Sequence, residues 1–438
     1  MVAYADAAFL LRRAGFGGTK AEIDALLPLS RAQMVDKVLD VSTAAPDTRP
    51  SWLDDSDAVT EEWQKGYKLQ LWWFDRMRTS TAPLQEKMTL FWHGHFATSN
   101  DKIYDARHMY EQQRLFRSAG LGSFRALTQQ MATQPAMLLY LDNANNHKNA
   151  PNENFARELM ELFTLGLDQY TQNDVEASAR AWTGHNYNSA TRSYQFYANR
   201  HDTSNKTFMG VTKNWDGPDI IDHITSVEPH RTTCARFIAK KLWSFFAYPN
   251  PSDAVLNAIV TPFLDADLDI TTLLRAIFSH DEFYSTAARQ GLLRSPAEFC
   301  VAAMRYSGVD ATTCSPPWWG EDMGQQLLYP PNVSGWKQNA TFISATPTWA
   351  RMNFVRHLTW KRYDADGVAM LRDTLDMSVP DAISAAFDRF GIDAPSSRTR
   401  AELETWLTSQ RAATKEWRDW QHINLFTLIL LTPDFNLA

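Results

Sequence analysis

The run Ala150–Gly166, APNENFARELMELFTLG, sets Glu153, Arg157, Glu158 and Glu161 among strongly apolar neighbours. Coiled as a helix, it puts Phe155, Leu159 and Leu162 on one face, with Asn154, Glu158 and Glu161 on the other and Arg157 alongside. Clustered carboxylates suit acid–base chemistry when burial keeps one protonated and a cation keeps another ionised. On that logic Glu158 is the ionised partner of Arg157, and Glu161 or Asp202 is the proton donor. The competing structural reading is a solvated face carrying an Arg157–Glu161 pair of small energetic weight.

Other polar groups stand close by. Asp142, Asn143, Asn152, Glu153 and Asn154 exceed what a turn needs and suit the holding of hydroxyls. Arg180, Trp182 and His185 close a helical run, His201, Asp202 and Lys206 share a loop, and Asn332 and Trp336 sit in YPPNVSGW. All of these are expected to contact substrate, Lys206 being the best contact for an anion. His93 and His95, two apart in FWHGHF, are candidate metal ligands only if the helix ends there, because on a continuous helix they diverge by roughly 200°. Arg12, Arg13, Lys240 and Lys241 suit an anionic substrate, though helix ends explain them equally well.

The elements that must position these groups are mainly helical. TKAEIDALLPLSRAQMVDKVLD has Thr19 placed to cap and Glu22 at the capping-box position, and Thr171 with Asp174 repeats the pattern before a helix ending near Gly184. FRALTQQMATQPAMLLYLDN reads as a helix broken near Pro135. Strand signals are confined to a small β-hairpin near 189–210, and the Pro-, Gly- and Trp-rich run from Cys314 to Ser344 reads as a long ordered loop. The expectation is an all-α fold, one large multi-helix domain over 1–438 with core motifs in 9–336 and C-terminal helices, 337–438, packed on the same core.

Composition narrows the functions. The 438-residue chain has a net charge of -7, which disfavours a nucleic-acid backbone as partner. Sixteen Trp, fourteen Tyr and twenty-four Phe fill a core or line a cleft that stacks on sugars. Cys234, Cys300 and Cys314 fit no zinc or disulfide pattern and are expected as buried thiols. No window is apolar enough to span a membrane, and no signal peptide is recognisable, so a soluble, cytoplasmic chain is expected, an exported form staying open.

FLLRRAGFG, FWHGHFATS, PAMLLYLDNANN, NENFARELMELFTLG, YTQNDVEASARAWTG, HDTSNKTFMG, FIAKKLWSFF and YPPNVSGW occur in that order, and LILLTPDF closes the chain. Together they resemble the bacterial DUF1800 family over nearly the whole length. His185 departs from the family pattern, which usually has Trp after "TG". Many relatives carry export signals. The resemblance implies one continuous domain and no reaction.

Three functional readings are open. The leading one is a hydrolase of a glycosidic bond, in a carbohydrate or similarly hydroxylated small molecule or oligosaccharide, needing no cofactor and working through the carboxylates. The second is a hydrolytic or oxidative enzyme holding a divalent metal on His93, His95 and a carboxylate. The third is a non-catalytic glycan-binding or scaffold protein whose polar stripe is a buried network.

Overall fold

In the computed structural model, the described residues are 2–54, 61–366, 371–392, 395–413 and 418–437. Within them the chain is all-α apart from two antiparallel two-stranded sheets. The helices begin where the sequence caps them. Thr19 and Glu22, Ser30 and Gln33, Thr171 and Asp174, and Ser295 and Glu298 each close a reciprocal capping box. The break at Pro135 is real: one helix ends at Ala132 and Pro135 opens the next, Pro135–Tyr140.

Two apolar clusters form the interior. The first joins the N-terminal helix Tyr4–Ala14 to the helices between Pro83 and Ser279 through residues such as Phe9, Trp92, Trp182 and Phe278. The second brings Phe16, Leu69 and Trp73 from the N-terminal part against Phe299, Phe354, Leu425 and Phe435. The helices beyond residue 337 therefore share a core with segments near the start of the chain. All three cysteines are buried free thiols.

Local outcomes differ from expectation in two places. The expected hairpin is two hairpins. Strand β1 (His185–Asn188) pairs with β2 (Ser193–Phe196), and β3 (Lys206–Phe208) with β4 (Val211–Lys213). The turn-rich run Tyr197–Asn205 separates them instead of lying inside a strand. The expected long loop after Cys314 contains the helix Pro316–Asp322, since proline suits the first turn of a helix.

Buried charge ties the second cluster together. The fully buried Glu86 accepts from Arg76 Nε at 2.6 Å, Arg117 Nε at 2.9 Å and Trp73 Nε1 at 3.0 Å. Three donors satisfy the carboxylate, and removing its charge leaves Arg76 without a carboxylate and Arg117 with Asp47 alone, at 3.3 Å. Glu86→Gln is expected to destabilise the protein by about 3–5 kcal/mol in denaturant unfolding. A loss below ~1 kcal/mol would show that water reaches this network.

Candidate metal centre and its surroundings

The helix Gln172–Ala181 ends at Trp182, and the next residues turn sharply. Thr183 Oγ1 donates to Arg180 O at 2.6 Å and accepts from Asp202 N at 2.8 Å, and the Thr183 carbonyl faces His201 Nδ1 at 2.8 Å. Gly184 follows with φ +82°, and a Cβ there would lie 2.8 Å from Tyr197 O. Only glycine fits such a left-handed position beneath the chain crossing at Tyr197. This turn starts β1 with His185 facing inward.

A scaffold of buried amides fixes β1. Asn143 Nδ2 donates to His185 O at 2.8 Å, Asn146 Nδ2 to Asn143 Oδ1 and Ala179 O, and Asn186 Nδ2 to the carbonyls of Asn143 and Asn146, all at 3.0 Å. Asn152 N–H donates to Asn146 Oδ1 at 2.9 Å, while the Asn152 side chain accepts from Asn154 N. The expected substrate amides Asn143 and Asn152 are thus occupied with backbone groups. Asn154 reaches Asp142 at 3.4 Å, and Asp142 pairs with Lys102 at 2.8 Å.

On this frame His185, His201 and Asp216 converge. One ligand atom from each lies within 4.8 Å of the others. His185 Nε2 is 2.8 Å from Asp216 Oδ1, and His201 Nε2 is 4.0 Å from it. Because a carbonyl accepts only, His201 Nδ1 carries the proton and leaves the Nε2 lone pair directed inward. His185 Nδ1 meets Tyr194 Oη at 3.0 Å, a hydroxyl that serves either tautomer. Both rings are buried, whereas the Asp216 side chain is 48% exposed. Burial raises its pKa, but the His185 hydrogen bond, the nearby imidazoles and the Gly217 N–H outweigh that and hold it below the usual carboxylate value. Trp182 packs edge-on to His185 at 4.9 Å and leaves room beside it only for Gly217.

Two histidines and one carboxylate, each ring nitrogen opposite the site engaged by an oxygen, form a ligand set suited to a divalent transition metal with open positions. Sequence reasoning placed His185 and His201 among substrate contacts and missed Asp216. The signal was present in WDGP: Asp216 caps the helix Gly217–Ser226, and Pro218 fixes where that helix starts.

His93 and His95 do not meet. The helix Pro83–His95 runs through both, so their rings point apart. His93 Nε2 accepts from Leu328 N at 3.1 Å and its ring lies 5.3 Å from Trp336. His95 Nε2 donates to Phe163 O at 3.1 Å among Phe91, Phe96 and Phe163. They are packed imidazoles, not a shared ligand pair.

The carboxylate stripe has also reorganised. Asn154–Glu158 is α-helical, but Leu159–Thr164 widens into a π-helix, a rare form concentrated at functional sites. Arg157 pairs with Glu153 at 2.9 Å and Gln172 at 2.9 Å, not with Glu158 or Glu161. Burial and neighbouring Glu161 raise the Glu158 pKa against a weaker pull from Arg157, so Glu158 is the protonation-prone member. Glu161 accepts from Tyr170 Oη at 2.6 Å. Asp202 is no proton donor. Burial acts to raise it, but hydrogen bonds from Ser204 and Arg180 prevail and lower it to about 2. Lys206 is buried, donating to Asp202 O at 2.5 Å and Trp215 O at 2.9 Å, so it faces no ligand. Asn332 is an exposed turn residue accepting from Ser334 N at 2.9 Å.

Residues 9–437 match the family described as protein of unknown function, DUF1800, and the chain belongs to that family. No curated protein and no solved structure matches the chain. No helix among the described residues is long and apolar enough to cross a membrane.

The buried His93 gives a pH signature. Burial lowers its pKa to about 3, and burial likewise depresses His95, so both stay neutral when folded. The unfolded chain protonates each near pH 6.5, so their contribution is intact above that value and lost as pH falls towards the folded pKa. Between pH 6.5 and 5 the loss is about 2 kcal/mol per histidine, from ~1.4 kcal/mol per unit. His93→Gln should flatten the fall in melting temperature between pH 7 and 5. An unchanged slope would mean that His93 is hydrated.

Proposed function

We propose that this member of the DUF1800 family is a divalent-metal-dependent hydrolase whose cation is held by His185 Nε2, His201 Nε2 and Asp216. The observation that carries the reading is the convergence of those three groups, with the carboxylate half-exposed beside buried rings. A cation there would lower the pKa of a bound water towards ~7 and so supply hydroxide at neutral pH. The chain's own contribution is positional. The Thr183 carbonyl sets the His201 tautomer, the amide scaffold holds β1, and exposure at Asp216 leaves a direction for substrate.

A second reading, carboxylate catalysis on a glycosidic bond, is favoured by the raised Glu158 pKa beside Glu161. It exchanges the expected roles, with Glu158 as acid and Glu161 as base. The two readings separate experimentally. After chelation, calorimetric titration with Zn(II), Mn(II) or Co(II) should show about one bound ion, and His201→Ala should weaken binding at least tenfold. Asp216→Asn should do the same while keeping the helix cap, since asparagine caps nearly as well as aspartate. Turnover on a panel of chromogenic glycosides, esters and phosphate esters should vanish on chelation and return with metal. Chelator-resistant turnover lost in Glu158→Gln would instead establish the carboxylate mechanism.

A further inference from the structure

The region beneath the N-terminal helix holds more buried positive charge than it neutralises. Arg13, Lys87 and Arg294 are 1%, 2% and 4% exposed, and Glu298 is the carboxylate among them. Glu298 pairs with Lys87. Arg13 donates to the Ala288 carbonyl through one nitrogen and lies 5.0 Å over the Phe9 ring, and its Nε and Nη1 have no partner among the described residues. Lys241 has the Leu162 carbonyl at 3.2 Å and the Phe237 ring at 5.1 Å, and no ion pair among the described residues. Burial lowers Arg13 to about 9 and Lys241 to about 8, the mark of cations short of a counter-charge.

Arg13, Lys87, Lys241 and Glu298 face one cavity of about 110 Å3, lined also by His95 and Trp336 among others. Its wall carries three cations and one carboxylate, with His95 neutral. The cavity shares no lining residue with the histidine–aspartate cluster. Unpaired charge in a low-dielectric interior is costly, and an oxyanion that accepts from guanidinium and ammonium groups together relieves it. Four segments far apart in the sequence supply the wall. FLLRRAGFG gives Arg13, FWHGH gives His95, FIAKKLWSFF gives Lys241 and YPPNVSGW gives Trp336.

We infer that this cavity binds a small oxyanion, the carboxylate or phosphate group of a ligand, seated between Arg13, Lys87 and Lys241. The site stands independently of the metal reading. The test is thermal unfolding and calorimetric titration of chelator-treated protein with sodium phosphate and sodium acetate, each against sodium chloride at equal ionic strength. Phosphate or acetate should raise the melting temperature saturably beyond chloride, and which of them does so tells a phosphate group from a carboxylate. Lys241→Met should weaken the binding at least tenfold, Lys241→Arg should retain most of it, and His201→Ala should leave it unchanged. A response no larger than that of chloride overturns the inference, as does binding that survives Lys241→Met or disappears in His201→Ala.

Discussion

The contact on which the histidine–aspartate cluster depends is the hydrogen bond from His201 Nδ1 to the Thr183 carbonyl, 2.8 Å long. It acts in two directions. Towards the site it fixes the tautomer, so the Nε2 lone pair faces Asp216. Towards the fold it fastens the loop after residue 197 to the end of the helix Gln172–Ala181. The same threonine binds Asp202 N through its hydroxyl, so the loop is held at consecutive residues. A buried carbonyl without a donor costs about 1–3 kcal/mol, so the imidazole also stabilises the loop.

A similar economy governs the charged segment from Glu153 to Glu161. Its charges lie on a partly solvated face but are cross-linked to neighbouring groups. Arg157 joins Glu153 to Gln172, and Glu161 takes the Tyr170 hydroxyl, so both tie the segment to the start of the helix Gln172–Ala181. The π-helix then presents two carbonyls sideways: Leu162 O meets Lys241, and Phe163 O meets His95. Both lie in the last turn before the helix ends at Thr164, where carbonyls lack an intrahelical donor. The end of this helix therefore links the charged segment to the cation-rich cavity through Lys241 and His95.

Much of the fold was legible because its signals are local. Thr19 and Thr171 each have an acidic residue three positions on, and Pro135 lacks the N–H that a continuous helix requires. The hairpins were blurred because Asn, Asp and Ser between 198 and 205 suit turns and strand ends alike. In the site, His185 stood out as a departure from the family resemblance and His201 by its loop. Asp216 was hidden because a capping aspartate before Gly-Pro has a complete structural explanation. His93 and His95 misled for the opposite reason. Their spacing is conspicuous, but helical phase separates them, and only knowledge of where the helix ends decides the matter. The Glu158–Arg157 pairing failed because Arg157 had a competing carboxylate one turn earlier, at Glu153.

Two sites of opposite electrostatic character thus occur in one chain of net charge -7. At the first, a half-exposed carboxylate stands beside two imidazoles whose Nε2 atoms face it. At the second, cations outnumber carboxylates behind a hydrophobic wall. Their separation is what Coulomb's law favours, since cations among the imidazoles would oppose a metal, and carboxylates in the cavity would cancel its excess charge. Lys206 shows how the boundary is kept. Buried and near Asp216, it turns its ammonium to the carbonyls of Asp202 and Trp215, so the aspartate stays available beside His185. Lys241 has one carbonyl and an aromatic face in place of such a cage, and its charge remains directed at the cavity. The contrast between these two lysines, one saturated by backbone oxygens and one left short of them, separates a cation that serves the fold from a cation placed for a ligand.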